Sequence, residues 1–209
     1  GAPAYSIVGG ADAARFSIDA ATGVLTFSSA PNYELTTDAD GDNVYLLTVQ
    51  VADGNGGIAT QAMAVTVTNT NEAPLITSAA THNAAENQTA VTTVTSSDVD
   101  GAAPLYGIVG GPDAALFAID AATGVLTFNA APDFEAPADA GGDNVYDVTV
   151  QVADGNGGTA TQAIAVTVTN VNESPVITSA ASVSVAENQT SAITVTSTDV
   201  DGGTAVYTI

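Results

Sequence analysis

The sequence predicts an all-β protein of tandem seven-stranded β-sandwiches, and three observations carry that prediction. First, the chain repeats itself: sliding its 209 residues by 101 positions makes 74 of 108 comparable pairs identical, with no gap. Val8-Gly9-Gly10 then falls on Val109-Gly110-Gly111, and Asp53-Gly54-Asn55-Gly56-Gly57 on Asp154-Gly155-Asn156-Gly157-Gly158. Second, apolar and polar residues alternate with a period of two, and no long helical period interrupts them. Third, clusters of Gly, Asn, Asp and Pro separate these runs at short intervals, as turns do. A repeated unit of this kind is a tandem array of one module.

Residues 75–174 make the one module with a joint at each end. Leu75 to Ser78 and Val91 to Ser96 are rich in β-branched residues and read as strands, with a third near Leu105 to Val109. A turn at Gly110-Gly111-Pro112-Asp113 leads into Phe117-Ala118-Ile119, and Ala121-Ala122-Thr123-Gly124 turns the chain into Val125 to Phe128, a hairpin. Over Val145 to Val152 the residues Tyr146, Val148, Val150 and Val152 share one face, which is core; Asp147, Thr149 and Gln151 share the other. The tight turn Asp154 to Gly158 then returns the chain through Ile164, Val166 and Val168, which alternate with Ala163, Ala165 and Thr167. Seven short strands in about a hundred residues suit an antiparallel two-sheet sandwich. Inward Ala residues are expected to keep its core thin.

Residues 1–74 form a partial module lacking its first strands, and residues 175–209 form the start of a third. Each part would leave an apolar face open to water. Two readings follow: the chain is a cut from a longer array, or a neighbouring copy completes it.

Charge narrows the functions. One Arg, no Lys and 23 Asp plus Glu leave a net charge of −22, which repels nucleic acid and anionic membrane surfaces and attracts divalent cations. There is no Cys and no apolar run long enough to span a membrane, so disulfides, thiolate metal sites and membrane insertion of this segment are excluded. His82 is the one imidazole, and its repeat counterpart is Val183; Arg15 is matched by Leu116. With no Lys and no Cys either, the chain is not read as an enzyme.

The joints carry the chemistry. Asn69-Thr70-Asn71-Glu72-Ala73-Pro74 recurs as Asn170-Val171-Asn172-Glu173-Ser174-Pro175, each copy closing one alternating run and opening the next past a proline. Oxygen donors gather around it. The second joint can collect Glu86, Asp133 and Glu135 from the module before it, Asn172 and Glu173 from the linker, and Asp199 and Asp201 after it. Such a set suits Ca²⁺, which takes six to eight oxygens. Two carboxylates about 4 Å apart repel by roughly 4 kcal/mol at an effective dielectric near 20, so a joint without a cation should splay. Asp38-Ala39-Asp40-Gly41-Asp42 is a possible local cation loop but reads first as a solvated turn, because Gly141 stands where Asp40 does. Asn87-Gln88-Thr89 and Asn188-Gln189-Thr190 fit the weak N-glycosylation pattern, beside Glu86 and Glu187.

These motifs together resemble the cadherin family. Tyr106 to Phe128 looks like its Y-x-I and F-x-I-D-x-x-T-G-x-I run, Asp133-Phe134-Glu135 its D-R-E, and Val152-Ala153-Asp154-Gly155 its A-x-D-x-G. Val171-Asn172-Glu173-Ser174-Pro175 looks like its D-x-N-D-N-x-P linker, Glu86-Asn87 its start motif and Asp98-Val99-Asp100 its D-x-D. The resemblance covers the whole chain. It implies Greek-key sandwiches of cadherin/Ig-like type with Ca²⁺ held between successive modules. Residue by residue it assigns Glu86, Asp133, Glu135, Asn172, Glu173, Asp199 and Asp201 to the second joint, and Glu34, Asn71, Glu72, Asp98, Asp100 and Asp154 to the first. Asn69 and Asn170 replace the linker's leading Asp, Asn32 replaces the Asp of D-R-E, and the linker is one residue shorter, so one or two ions per joint are expected. The composition, without Lys or Cys and dominated by Ala, Thr, Val and Gly, looks more like bacterial cadherin-like repeats of large surface proteins than like animal cell-cell adhesion cadherins.

The function expected is therefore a calcium-stiffened structural or adhesive protein of the cell surface or extracellular matrix, forming a rod or filament. Its partners would be copies of itself, head to tail or strand-complemented, or a homophilic or surface ligand. The alternative is a stalk presenting an adhesin or carbohydrate-binding tip.

Overall fold

Strands supply nearly all the regular structure in the computed structural model, which describes residues 1–209; helix is limited to two single 3₁₀ turns, Ala13–Arg15 and Ala114–Leu116. The chain divides into two units, Gly1–Glu72 and Ala73–Ile209.

In the first unit the strands are β1 (Ala4–Gly9), β2 (Phe16–Ile18), β3 (Leu25–Phe27), β4 (Val44–Ala52) and β5 (Ile58–Thr66). They make a three-stranded sheet in the order β1-β4-β5 and a two-stranded sheet of β2 and β3. Phe16, Tyr45 and Leu47 are its buried core, with Ile7, Leu25, Phe27, Val49, Met63, Val65 and Val67 packed against them but only partly covered.

The second unit holds β6 (Leu75–Ile76), β7 (Thr81–Ala85), β8 (Ala90–Thr93), β9 (Ser96–Ser97), β10 (Leu105–Gly110), β11 (Phe117–Ile119), β12 (Val125–Phe128), β13 (Val145–Ala153), β14 (Thr159–Thr169), β15 (Val176–Ile177) and β16 (Ser197–Thr198). One sheet runs β10-β13-β14-β7 and the other β11-β12-β8, with short pairs β6-β9 and β15-β16 beside them. The alternation in β13 does what its period demands: Tyr146, Val148, Val150 and Val152 are all fully buried, facing Ile164, Val166 and Val168 of β14 in the same core. Each fully buried aliphatic side chain of this size contributes about 1.5–3 kcal/mol over leaving it exposed. From the other sheet Phe117 and Phe128 stack at 4.6 Å, and Tyr146 meets Phe128 edge-on at 5.1 Å. The Tyr146 hydroxyl accepts a hydrogen bond from the Ala138 N–H at 3.1 Å, fixing the approach to β13.

The turn before β11 is pinned by a buried acid. Asp113 Oδ1 accepts the Ala140 N–H at 2.7 Å and Oδ2 the Asp147 N–H at 2.8 Å, and Asp12 repeats this in the first unit with Ala39 and Leu46. Close approach there requires glycine: Gly111 has φ +107°, and a Cβ on it would sit 2.5 Å from the Asp147 carbonyl oxygen.

Three expectations change. The sheets are not wholly antiparallel, since β7 lies parallel to β14, pairing Thr81 with Ala165 through Ala85 with Thr169. The runs at Leu75–Ser78 and Val91–Ser96 are broken rather than continuous. β6 stops at Ile76 and the chain crosses to the other sheet's side as β7, while β8 and β9 leave Val94 and Thr95 between them, so that nine segments do the work of seven strands. Nor is the core built on Ala: Ala84 is the one alanine among the buried core residues, the rest being Val, Ile, Leu, Phe and Tyr.

Candidate metal centre

Three carboxylates meet in the second unit. Glu86, Glu135 and Glu173 place oxygens within 4.8 Å of one another, although 49 and 38 residues separate them in sequence. Each is brought by a different element. Glu86 follows β7 directly, Glu135 sits in the loop after β12, and Glu173 lies in the linker beyond β14.

Glu86 is the fixed member. It is 3 % exposed, its Oε2 accepts the Phe134 N–H at 2.8 Å and its Oε1 the Val171 N–H at 2.7 Å. One side chain thus ties the Glu135 loop to the linker. Glu135 is exposed and accepts a hydrogen bond from the Asn170 side-chain amide at 2.6 Å. Desolvation raises its pKa above the ordinary glutamate value, with further upward pressure from the charges of Glu86, Glu173 and Asp201. Glu173 accepts from the Asn87 amide through Oε1, and its backbone N–H donates to Asp201 Oδ2 at 2.6 Å. That bond, then one from the Asn170 side chain, holds the Asp201 carboxyl below its ordinary pKa. Asp199 Oδ1 accepts the Asp201 N–H at 3.2 Å.

The other expected residues are placed as follows. Asp133 accepts the Ala136 N–H at 3.0 Å within its own turn, and the Asn172 amide donates to the Glu173 carbonyl at 2.8 Å, leaving its carbonyl oxygen as its donor atom for a metal. Asn71 makes the same bond to Glu72 at 3.1 Å in the first unit, where Glu34 also lies. Asp98, Asp100 and Asp154 belong to the second unit. Asp98 Oδ1 accepts the Asp100 N–H at 2.9 Å, and buried Asp154 accepts from Asn156 at 2.7 Å and from Gly158 at 3.0 Å, closing the turn between β13 and β14. In that turn the left-handed positions are Gly155 and Gly157.

Asn87 and Asn170 are the site residues that motif reading missed. Each places an amide on one of the clustered glutamates. For Asn87 the available signal is its place directly after Glu86 in the start motif.

Of the buried side-chain oxygens without a hydrogen-bond partner, Glu173 Oε2 and Asp201 Oδ1 lie at this cluster. Carboxylate oxygens shielded from water and left in that state cost free energy. A hard cation would satisfy them. The donor set is all oxygen, from Glu86, Glu135, Glu173 and Asp201 with amide carbonyls nearby, so the residues fit Ca²⁺ in kind.

Asp38, Asp40 and Asp42 form a second acidic group in the first unit, their oxygens within 4.8 Å. Asp38 Oδ2 accepts the Asp42 N–H at 2.8 Å and Asp42 Oδ1 the Val44 N–H at 2.8 Å, which is what a self-capped turn does. Repulsion from Asp42 raises the pKa of Asp40.

Comparison with known proteins agrees with this architecture. Residues 71–167 match the family described as bacterial Ig domain. Among solved structures, human protocadherin-24 EC1-2 is 19% identical with a TM-score of 0.56, covering 83% of this chain and 83% of that one. Human CDH23 EC21-23 is 20% identical with a TM-score of 0.58 and covers 97% of this chain and 70% of that one. Mouse cadherin-23 EC22-24 is 22% identical with a TM-score of 0.51, covering 81% and 53%. No curated protein matches the chain. Fold and comparisons define a cadherin-like, Ig-like β-sandwich protein.

Proposed function

We propose that the chain is a calcium-stiffened array of cadherin-like repeats, with modules 1–74, 75–174 and 175–209, in a structural or adhesive protein at the cell surface or in the extracellular matrix. The observation that carries the reading is the convergence of Glu86, Glu135 and Glu173 at the linker, beside the unpartnered oxygens of Glu173 and Asp201. In this reading Glu86, Glu135, Glu173 and Asp201 hold Ca²⁺ at the second joint, with Asp199, Asn172 and Asp133 as further oxygen donors around it. Glu34, Asn71, Glu72, Asp98, Asp100 and Asp154 serve the first joint by repetition.

The ion supplies positive charge where the chain has almost none. The chain's own groups do the rest: Glu86 fixes the linker to the module, Asn87 and Asn170 orient the glutamates, and Asp201 takes the Glu173 backbone N–H. Neutralising the cluster removes the repulsion that drives the linker apart, so a hinge becomes a strut. A series of such struts is a rod or filament, and the chemistry needed is binding rather than catalysis. The stalk reading, with the array carrying an adhesin or carbohydrate-binding tip, uses the same joints.

Small-angle scattering of the full chain tests the proposal. Calcium at millimolar concentration is expected to lengthen the particle and narrow its distribution, and chelator to reverse both. Profiles that superimpose with and without calcium would sink it.

A further inference from the structure

Two turns of the chain hold its only Asn-Gly pairs. Of thirteen Asn residues, Asn55 and Asn156 alone precede a glycine; each of the others is followed by a residue with a Cβ. Both stand at the tip of a hairpin. Asn55 lies between β4 and β5, whose ladder ends at Ala52 with Ile58, and Asn156 between β13 and β14, whose ladder ends at Ala153 with Thr159.

In each turn an acid holds the backbone on either side of the second glycine. Asp154 Oδ1 accepts the Asn156 N–H at 2.7 Å and the Gly158 N–H at 3.0 Å; Asp53 Oδ1 accepts the Asn55 N–H at 2.8 Å and the Gly57 N–H at 2.9 Å. Between those anchors the chain is open to water: Asn55, Gly56, Asn156 and Gly157 are all exposed. Gly56 has φ +100° and Gly157 φ +110°, and a Cβ built on either would meet no atom within 4 Å. The Asn carboxamide and the backbone nitrogen that follows it therefore meet in solvent, with no side chain shielding that nitrogen. Exposed hairpin tips are also where a backbone opens most cheaply to sample a strained ring closure.

We propose that Asn55 and Asn156 are sites of spontaneous covalent ageing, at which the side-chain amide is exchanged, through a cyclic imide, for aspartate or isoaspartate with water as the co-reactant. At Asn156 the Gly157 backbone nitrogen gives its proton to hydroxide and bonds to Cγ. The Cγ–Nδ2 bond breaks, and the nitrogen leaves as ammonia after taking a proton from water. Water then adds to one of the two imide carbonyls and cleaves its bond to nitrogen. Opening at the side-chain carbonyl gives aspartate; opening at the backbone carbonyl gives isoaspartate. Each event consumes one water, releases one ammonia and adds one negative charge, and no electrons change hands.

The two products act differently on the turn. Aspartate leaves the main chain unaltered. Isoaspartate routes it through the former side chain and inserts one methylene between position 156 and Gly157. That displaces Gly158, whose N–H meets both Asp154 oxygens, at 3.0 and 3.1 Å. Asp154 is 5 % exposed, so loss of this donor leaves a buried carboxylate short of partners and loosens the end of the hairpin.

Mass spectrometry of the full chain tests the proposal. The chain is incubated folded, and in parallel in urea, at mildly alkaline and mildly acidic pH, and its peptic peptides are weighed. A gain of one dalton is expected in the peptides carrying Asn55 and Asn156 and not in those carrying Asn129 and Asn144, at a rate rising in proportion to hydroxide. The rate in the folded chain should stay within about ten-fold of that in urea, because the tip needs no global unfolding to react. Asn156→Gln, whose longer side chain would have to close a six-membered ring, keeps the backbone of the turn and should stop the gain at that position alone. A folded chain that converts far more slowly than this, or gains spread over all the Asn residues, would overturn the proposal. Urea denaturation then tests the consequence: Asn156→Asp should keep the parent's midpoint, while chains with isoaspartate at position 156, separated by chromatography, should unfold at lower urea. Equal midpoints would overturn the part assigned to Gly158 and Asp154.

Discussion

Glu86 Oε1 accepts the backbone N–H of Val171 at 2.7 Å across 85 residues of sequence. With its other oxygen on the Phe134 N–H, this one buried acid joins the end of β7, the Glu135 loop and the linker. It is first a structural residue, and the metal reading adds to that role.

Glu86→Ala is therefore expected to leave two backbone donors without partners. At about 1–3 kcal/mol for each unsatisfied group, the complete module should lose several kcal/mol. Glu86→Gln keeps one acceptor and should cost less. Urea denaturation of the variants checks the order, and equal stability of Glu86→Ala and the parent would contradict it.

Glu135→Ala separates metal binding from folding. Glu135 is exposed and its side chain meets only Asn170 and the neighbouring carboxylates. In chelator the variant should melt close to the parent, as surface substitutions do. Added calcium should raise the parent's melting temperature and leave the variant's largely unmoved.

The joint also has a signed pH dependence. Glu135 has a folded pKa above its unfolded value, so the chelated fold binds that proton more tightly and loses stability as pH rises from the unfolded to the folded pKa. Asp201 is the reverse: its lowered folded pKa adds stability above the unfolded aspartate value, lost as pH falls through the folded one. Calcium competes with the Glu135 proton. Affinity should accordingly begin to fall, on acidification, at a higher pH than an ordinary glutamate would impose. Calorimetric titrations at a series of pH values check the trend.

Asp113→Ala is expected to destabilise the complete module without touching calcium binding. The substitution strands the Ala140 and Asp147 N–H groups and again costs about 1–3 kcal/mol for each. A calcium response unchanged in size, on a fold of lower urea midpoint, is the outcome that separates this acid from the joint acids.

Much of this was legible in the residues themselves. Tyr146, Val148, Val150 and Val152 announced their buried face through a period of two, and Gly110-Gly111 and Asp154 to Gly158 announced their turns. What period cannot show is strand direction. Thr81 to Ala85 has weak alternation, and its parallel pairing on β14 is set by the crossover from β6, which depends on tertiary packing rather than on local pattern. The acids behaved likewise. Glu135 and Glu173 were found by motif, but a motif does not distinguish Glu86, which spends both oxygens on backbone donors, from Asp133, whose carboxylate caps a local turn. Asn87 and Asn170 show their part only when the loops are folded together.

The central claim is that Glu135, Glu173 and Asp201 share one bound calcium ion. Carbon-13 NMR of the side-chain carboxylates during calcium titration of the full chain tests it most directly. The three signals are expected to move together and saturate at roughly 10⁻⁴ to 10⁻³ M, the range of extracellular modules, while the Asp120 carboxylate, held by Thr123 in an exposed turn, stays in place. Signals of Glu135, Glu173 and Asp201 that remain still at ten times that concentration would contradict the account.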